Sequence, residues 1–350
     1  MNKTTKSAGV KSVPVFLAFL CMGFGDAVGP FVGLAKTEFS LSNAMAQLIP
    51  FVGFAMFGLL SVPMGIYQDK TGKKHVLTIG LVIAFLGLVI PVFGGLNSYG
   101  LFLLTILLLG AGATILQVAG NPIMRDVSPE GKFARNLSLG QFVKAIGSLS
   151  GPLIPVAAAR WFGMGWEVLF PIYSALLLLT VVILNMTRVT ENREKTSEPA
   201  TFRSSFALLS DPFILLMVLG IFLYVGAEVS ISSGIPLLLE EQFGIDIQKL
   251  GVAGSGFFFI AIMTGRFLGS VILNWIRAKV FLLITSILSL LAIGGLFSGN
   301  ETLTIISIFI VGLGFANIFP LIFSITVDRT PERANELSGL MVTAIVGGAI

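Results

Sequence analysis

Long apolar runs separated by short polar loops make up most of this chain. Eleven runs can be counted, and the last stops at the end of the sequence. They cover residues 13–35, 45–66, 75–95, 99–124, 137–160, 167–187, 211–235, 250–273, 278–298, 303–327 and 336–350. Their length is typical of membrane-spanning helices, and they lack the dyad alternation of an outer-membrane barrel. The pattern therefore predicts an all-α integral membrane protein.

Composition supports this prediction. The chain is 55% hydrophobic and 11% charged, whereas soluble domains carry about 25% charged residues. The single cysteine, Cys21, excludes an internal disulfide. The net charge of +4 comes from basic residues in the loops, which is a topology signal and not a nucleic-acid-binding face. The expected surroundings are a lipid bilayer, with no nucleic acid as partner.

The basic residues of the loops predict the orientation of the chain. One side carries only Lys36, Arg160 and Lys249, while the N-terminus and the loops after even-numbered spans carry the rest. Basic loops stay in the cytoplasm, so a cytoplasmic N-terminus and a multi-pass protein of the inner membrane are predicted. No small-residue cleavage site precedes Asp26, and the first run is interpreted as a retained span.

An internal repeat divides the chain. The segment Asp126–Glu130 (DVSPE) recurs as Asp328–Glu332 (DRTPE), and Asp26 has its counterpart in Glu228 at the same offset. We predict an N-terminal six-helix bundle over 1–187, a cytoplasmic linker over 188–210 and a C-terminal bundle over 211–350. Because the second half stops inside its fifth span, the repeat also predicts that the sequence is truncated.

A charged loop motif follows the second span. Its residues are Gly65, Asp69, Lys70, Gly72, Lys73 and Lys74. They resemble the loop signature G-x3-[DE]-[RK]-x-G-x-[RK]-[RK] of the major facilitator superfamily, with His75 at its last position. The resemblance implies two six-helix bundles, related by a pseudo-two-fold repeat, that expose a central cavity alternately to each side. Gly65 would let helices approach closely, and Asp69 would pair with basic groups at neighbouring helix ends. The alternative is a solvated, positively charged loop on the cytoplasmic side.

Five further stretches resemble the fucose–proton symporter family, which includes glucose/galactose carriers. They lie at 24–30, 116–122, 135–141, 224–228 and 265–267, and so fall in both halves. The resemblance implies a monomeric symporter of a small sugar-like substrate, with the proton as coupling ion and no other cofactor. Sodium in place of the proton stays open.

Two carboxylates lie inside apolar spans. An isolated carboxylate in such a place is costly when charged and so can take up a proton near neutral pH. In the family, an acidic residue at the position of Asp26 takes part in proton coupling, so the resemblance gives that role to Asp26. The alternatives are a structural partner for Lys144 or a backbone cap. Glu228 is expected to face the same cavity from the second half.

Amide side chains supply the candidate sugar ligands, because amides both donate and accept hydrogen bonds. Gln117 and Asn121 share one face of the fourth span; Asn317 lies in the tenth. The resemblance adds Gln141. The fucose symporter itself has an acidic residue in place of Gln117, so fucose is in doubt as the substrate.

Lys144 is the second departure, since the fucose symporter has an amide there. A lysine in this span would bind an anionic sugar acid, pair with Asp26 or Glu228, or extend to the cytoplasmic edge. The predicted function is therefore proton-coupled sugar symport, with sugar-acid symport as the alternative. A drug exporter or a sensor on the same scaffold is less well supported, because the clustered amide side chains suit a sugar ligand better than an apolar one. No metal cluster, phosphate-binding loop or nucleophile–base set is visible in the sequence, so no enzyme is predicted.

Overall fold

Helices occupy most of the predicted spans that the structure describes. A computed structural model of the chain describes residues 3–192, 199–245 and 255–349. Its helices are first α1 (Lys3–Met22), α2 (Val28–Glu38), α3 (Asn43–Thr71), α4 (Lys73–Gly94), α5 (Tyr99–Val127), α6 (Phe133–Phe162) and α7 (Leu169–Met186). They continue with α8 (Phe202–Ala207), α9 (Pro212–Phe243), α10 (Ser255–Ile272), α11 (Ala278–Gly295), α12 (Glu301–Phe315), α13 (Ile318–Arg329) and α14 (Ala334–Ala349). The predicted all-α fold class is confirmed.

The lengths of these helices agree with a multi-pass membrane protein. Within the described part of the chain, eight helical segments are long and apolar enough to cross a membrane, or nine if the bent pair α1–α2 is one span. The other two predicted spans correspond to the shorter helices α10 and α14. Lys249, residues 250–254 at the start of the eighth span and residues 193–198 in the linker lie outside the described residues.

Two of the predicted spans are broken. A 3₁₀ segment, Gly23–Ala27, separates α1 from α2, where glycines and Pro30 disfavour a continuous helix. The tenth span divides between α12 and α13. Pro320 lies in the first turn of α13 and has no N–H, so the carbonyl of Ala316 lacks the donor it would have in a continuous helix.

Side-chain caps fix several helix starts. The Ser42 hydroxyl accepts a hydrogen bond from the Met45 N–H at the start of α3, at 3.3 Å. Asn300 caps α12 in the same way, with its Oδ1 3.0 Å from the Leu303 nitrogen. Such caps satisfy N–H groups that have no partner within the helix. They explain why the apolar runs become helices at these positions.

Contacts divide the chain into two compact units. The first contains Met1–Pro129, Val143–Leu208 and Pro331–Val346, and the second contains Glu130–Phe142, Leu209–Thr330 and Gly347–Ile350. In the first unit α5 packs against α1, α3 and α4, and α4 packs against α7. In the second unit α12 packs against α10 and α11, while α13 packs against α9 and α11. The predicted bundles, 1–187 and 211–350, stay a prediction.

Candidate functional site

Three of the predicted site residues meet in the first unit. Lys144 Nζ lies 3.3 Å from Asp26 Oδ2 and forms an ion pair with it. The same ammonium donates a hydrogen bond to Gln117 Oε1 at 3.5 Å. The Lys144 side chain is 16% exposed and that of Asp26 is 47% exposed, whereas Gln117 is buried. Asp26 is therefore not an isolated carboxylate. Of the alternatives that the sequence left open for Lys144, the structure shows the pairing with Asp26.

The close approach of α1 and α6 creates this cluster. A Cβ atom on Gly23 would overlap the carbonyl oxygen of Lys144, and one on Gly147 would overlap the carbonyl oxygen of Leu20. The backbone of α6 at Gly147 therefore touches the end of α1 and the first residue of the 3₁₀ segment, Gly23. This contact brings the 3₁₀ segment that carries Asp26 next to the turn of α6 that carries Lys144.

Ser148 completes the cluster and was not singled out from the sequence. Its hydroxyl oxygen lies 2.6 Å from Asp26 Oδ2 and 3.1 Å from the backbone oxygen of Lys144. Lys144 and Ser148 are four residues apart, so they share one face of α6. That spacing was available in the sequence, but it becomes informative only once Asp26 is known to face this helix.

Asn121 lies one turn after Gln117 on α5. Its side chain is fully buried in the first unit, as expected from the predicted common face of the two amides. The next residue, Pro122, removes a backbone donor from α5. The fourth span thus carries two enclosed amides beside a proline-modified stretch of helix.

Gln141 belongs to the second unit, where it neighbours the half-buried Arg266. Arg266 Nη1 donates to the Gln141 backbone oxygen at 3.4 Å, and Arg266 Nε donates to the Ala316 oxygen, also at 3.4 Å. Ala316 carries the carbonyl that Pro320 leaves without its usual donor. The guanidinium therefore satisfies the break between α12 and α13 and also binds the helix turn of Gln141.

Glu228 also lies in the second unit, half-buried on α9. The Tyr224 hydroxyl, one turn earlier on the same helix, lies close to both the Glu228 carboxylate and the Arg266 guanidinium. This arrangement places two opposite charges around one buried tyrosine. It was not predicted, because no local pattern places Arg266 beside the seventh span.

Asn317 occupies the break of the tenth span and is buried. Its Nδ2 donates to the Gly265 oxygen at 2.7 Å, and its side chain fills the space beside Gly269. These contacts hold α10 against the break between α12 and α13. They support a packing role, whereas the sequence suggested a sugar ligand.

The motif at residues 65–74, termed the signature loop, lies in the first unit. Asp69 Oδ1 accepts a hydrogen bond from Asn335 Nδ2 at 3.0 Å, and Oδ2 accepts one from the Ala200 N–H at 3.3 Å. The expected basic partners are thus replaced by an amide and a backbone N–H, although Arg333 is within electrostatic reach. Glu336, through its hydrogen bond, raises the pKa of the Arg333 guanidinium.

The lysines of the signature loop differ in their surroundings. Lys73 is buried, and its Nζ lies 2.7 Å from Asp126 Oδ2. The backbone nitrogens of Lys73 and Lys74 donate to the two Glu191 oxygens at 3.0 and 2.9 Å, which places a carboxylate at the N-terminus of α4. Lys70 is exposed, and Gly72 has φ +98°. Among the residues that the structure describes, no three His, Cys, Asp or Glu side chains are grouped to hold a metal ion.

Known proteins resemble the chain over almost its whole length. Residues 15–350 match the family model described as Major Facilitator Superfamily. The glucose/galactose transporter of Brucella abortus (strain 2308) is 27% identical over 364 residues, which cover 100% of this chain and 87% of the relative. A relative from Helicobacter pylori (strain ATCC 700392 / 26695), which is also named for glucose and galactose, is 30% identical over 375 residues. The match covers 100% of this chain and 88% of the relative.

The fold has a close counterpart among solved structures. The crystal structure of the transporter FucP in the outward conformation superposes with a TM-score of 0.83 at 20% sequence identity. The match covers 98% of this chain and 90% of FucP. At this level of identity the likeness concerns the fold.

Proposed function

Because the chain belongs to the major facilitator superfamily, we propose that it transports a neutral sugar together with a proton. The names of its relatives support a hexose such as glucose or galactose as the substrate. Transport by alternating exposure of a central site is the mode of carriers built from repeated bundles. The positive-inside pattern supports an N-terminus in the cytoplasm and a location in the inner membrane.

The observation that carries this proposal is the position of Lys144 between Asp26 and Gln117. Its ammonium already has a carboxylate 3.3 Å away, so while Asp26 is ionised the cluster has no uncompensated positive charge to offer an anionic substrate. A sugar acid would have to compete with Asp26 for the same cation. The geometry therefore favours a neutral sugar over the sugar acid that the sequence left as the alternative.

The cluster also suggests how proton and sugar are linked. A proton on Asp26 removes the charge that holds Lys144, and this weakens the ion pair. The released Lys144 side chain turns away from Gln117 Oε1, to which it donates at 3.5 Å, and extends towards the cytoplasmic edge. The freed amide oxygen accepts a hydrogen bond from a sugar hydroxyl, so proton binding favours sugar binding.

Reconstitution of the purified protein in proteoliposomes tests this function. Glucose, galactose and fucose are added in turn, with sialic acid and glucuronate as anionic sugars, and proton movement and sugar counterflow are recorded. When a neutral sugar is added, we expect the pH to rise in the compartment that receives it, because protons leave that compartment with the sugar. We also expect Asp26→Asn to abolish that proton movement but to retain counterflow.

Three results would contradict the proposal in whole or in part. Proton movement driven by the anionic sugars alone, and lost in Lys144→Gln, would make Lys144 a substrate ligand and the protein a sugar-acid symporter. The absence of both proton movement and counterflow with every sugar would favour an exporter on the same scaffold. Counterflow of a neutral sugar without proton movement would retain the carrier and remove the coupling role of Asp26.

A further inference from the structure

We propose that Ser148 is a positioning residue for the proton site, and that its hydroxyl reverses its hydrogen bond when Asp26 is protonated. The proposal rests on the proposed function, in which Asp26 carries the coupling proton. The Ser148 oxygen lies within hydrogen-bond distance of two acceptors. These are Asp26 Oδ2 at 2.6 Å and the Lys144 backbone oxygen at 3.1 Å.

A serine hydroxyl has one proton to donate and two lone pairs to accept with. While Asp26 is ionised, Ser148 donates its proton to the carboxylate in a charge-assisted hydrogen bond. Once Asp26 is protonated, its own O–H donates to the Ser148 oxygen. The serine proton then turns to the Lys144 carbonyl oxygen, so all three groups stay hydrogen-bonded without movement of either helix.

The backbone of α6 makes this reversal possible. Lys144 and Ser148 are four residues apart, and the contact between Gly23 and α6 keeps the segment that carries Asp26 against the same turn. A neutral Asp26 no longer attracts the Lys144 ammonium, and Ser148 becomes the group that retains the carboxyl in place. Ser148 thus keeps the proton site assembled while Lys144 moves.

The other titratable groups around Asp26 have partners of their own. Lys144 is the charged group in contact with Asp26 among the residues described here. Gln117, the neighbour from α5, carries no charge. From α7, the Tyr173 ring stacks on Phe24 and its hydroxyl is bound to Ser150. From α1, the Cys21 thiol is bound to Thr180.

Removal of the hydroxyl should shift the pH dependence of transport. In Ser148→Ala the ionised carboxylate loses a charge-assisted hydrogen bond, and the neutral acid loses a weaker one. Protonation of Asp26 is therefore favoured in the variant. The pH at which sugar-driven proton uptake declines, as the external pH is raised, should move about half to one pH unit towards alkaline pH. Ser148→Thr retains the hydroxyl and should behave as the wild type.

The test measures initial rates of sugar-driven proton uptake in proteoliposomes at a series of external pH values. Ser148→Val is the matched control for Ser148→Thr, because valine has the shape of threonine without the hydroxyl. We expect an alkaline shift for Ala and Val and none for Thr. An unshifted Ala variant, or equal shifts for Thr and Val, would overturn the role of Ser148.

The failure of this inference can be told from the failure of the proposed function. If the wild type shows no proton movement with any sugar, the proposed function itself is wrong. If the wild type couples sugar to protons and Asp26→Asn abolishes the coupling, an unshifted Ser148→Ala variant contradicts the role of Ser148 alone.

Discussion

The hydroxyl of Ser338 donates a hydrogen bond to the backbone oxygen of Val118 at 2.7 Å, although 220 residues separate the two in the chain. Val118 precedes Pro122 by four residues, so its carbonyl has lost the N–H that a regular helix would supply. Gln68 Nε2 lies 3.4 Å from the same oxygen. One proline in α5 therefore creates an acceptor that α14 and α3 share within the first unit.

Ser338→Ala should destabilise the protein through the loss of this hydrogen bond. We expect about 1 kcal/mol, because Ser338 is fully buried and the Val118 oxygen would keep only the longer bond from Gln68. In a Pro122→Ala background the Val118 oxygen regains a donor within its own helix. There the same Ser338→Ala change should have a smaller effect, which a double-mutant cycle of thermal unfolding in detergent would measure.

A suitable control for this cycle is Ser324→Ala. Ser324 is equally buried, but its hydroxyl donates to the Leu321 oxygen of its own helix. Its removal should be insensitive to Pro122→Ala. Equal effects of Ser338→Ala in both backgrounds would show that the proline does not create the acceptor.

Asp69→Asn should weaken the attachment of α14 to the signature loop. The carboxylate accepts hydrogen bonds from Asn335, in the first turn of α14, and from the Ala200 N–H. The substitution removes the negative charge next to a helix N-terminus and introduces an NH2 group that cannot accept, so we expect a loss of about 1–2 kcal/mol. Thermal unfolding and the rate of sugar counterflow should both change.

Lys70→Gln is the matched control for Asp69→Asn. It changes the charge of the adjacent residue by one unit in the opposite direction, and Lys70 is exposed. We expect its stability and its counterflow to stay near those of the wild type. Similar losses in the two variants would mean that the charge of the loop matters and that the contact with Asn335 does not.

Lys73→Met should be the most destabilising change among the lysines of the signature loop. It leaves Asp126, whose side chain is 0% exposed, without its ion-pair partner, at about 3–5 kcal/mol. Lys74→Met removes an ammonium that reaches the Asn185 and Thr187 carbonyls at the end of α7, and should lower the stability much less. Because Asp126→Asn removes the buried charge, it should restore part of the stability of Lys73→Met. Unfolding temperatures of Lys73→Met, of Lys74→Met and of the Lys73→Met/Asp126→Asn double variant would settle the order.

The sequence predicted the features that depend on composition and on local spacing. Each of the eleven apolar runs has a helix in the described residues, because length and hydropathy suffice to specify a spanning helix. The pairing of Lys144 with Asp26 was among the predicted alternatives, since two opposite charges in apolar spans stabilise each other. The common face of Gln117 and Asn121 followed from their spacing alone.

The features that were missed depend on which helices touch. Ser148 gains its meaning from the backbone contact between Gly23 and α6, and no local pattern fixes that pairing. The partners of Asp69 come from residues 200 and 335, far along the chain. The break in the tenth span could have been suspected from Pro320, but its compensation by Arg266 required the packing of α10.

Gly65 is the position in the signature loop where a single methyl group should have the largest effect. A Cβ atom there would lie 2.8 Å from the Asn335 oxygen and 3.2 Å from the Gly339 Cα. Both are backbone atoms of α14, so relief requires that α3 and α14 move apart within the first unit. We expect Gly65→Ala to lower stability by about 1–3 kcal/mol, as for other overpacked sites.

Gly100→Ala separates this steric effect from the helix propensity of alanine. Gly100 also lies in a helix, α5, but nothing lies within 4 Å of the position its Cβ would take. Alanine is the better helix former by about 1 kcal/mol, so Gly100→Ala should be neutral or stabilising in the same unfolding assay. If Gly65→Ala also proved stabilising, α3 and α14 would not be held at the distance described here. If it proved destabilising and slowed sugar counterflow while Gly100→Ala did neither, then the backbone contact between α3 and α14 would be part of the transport cycle.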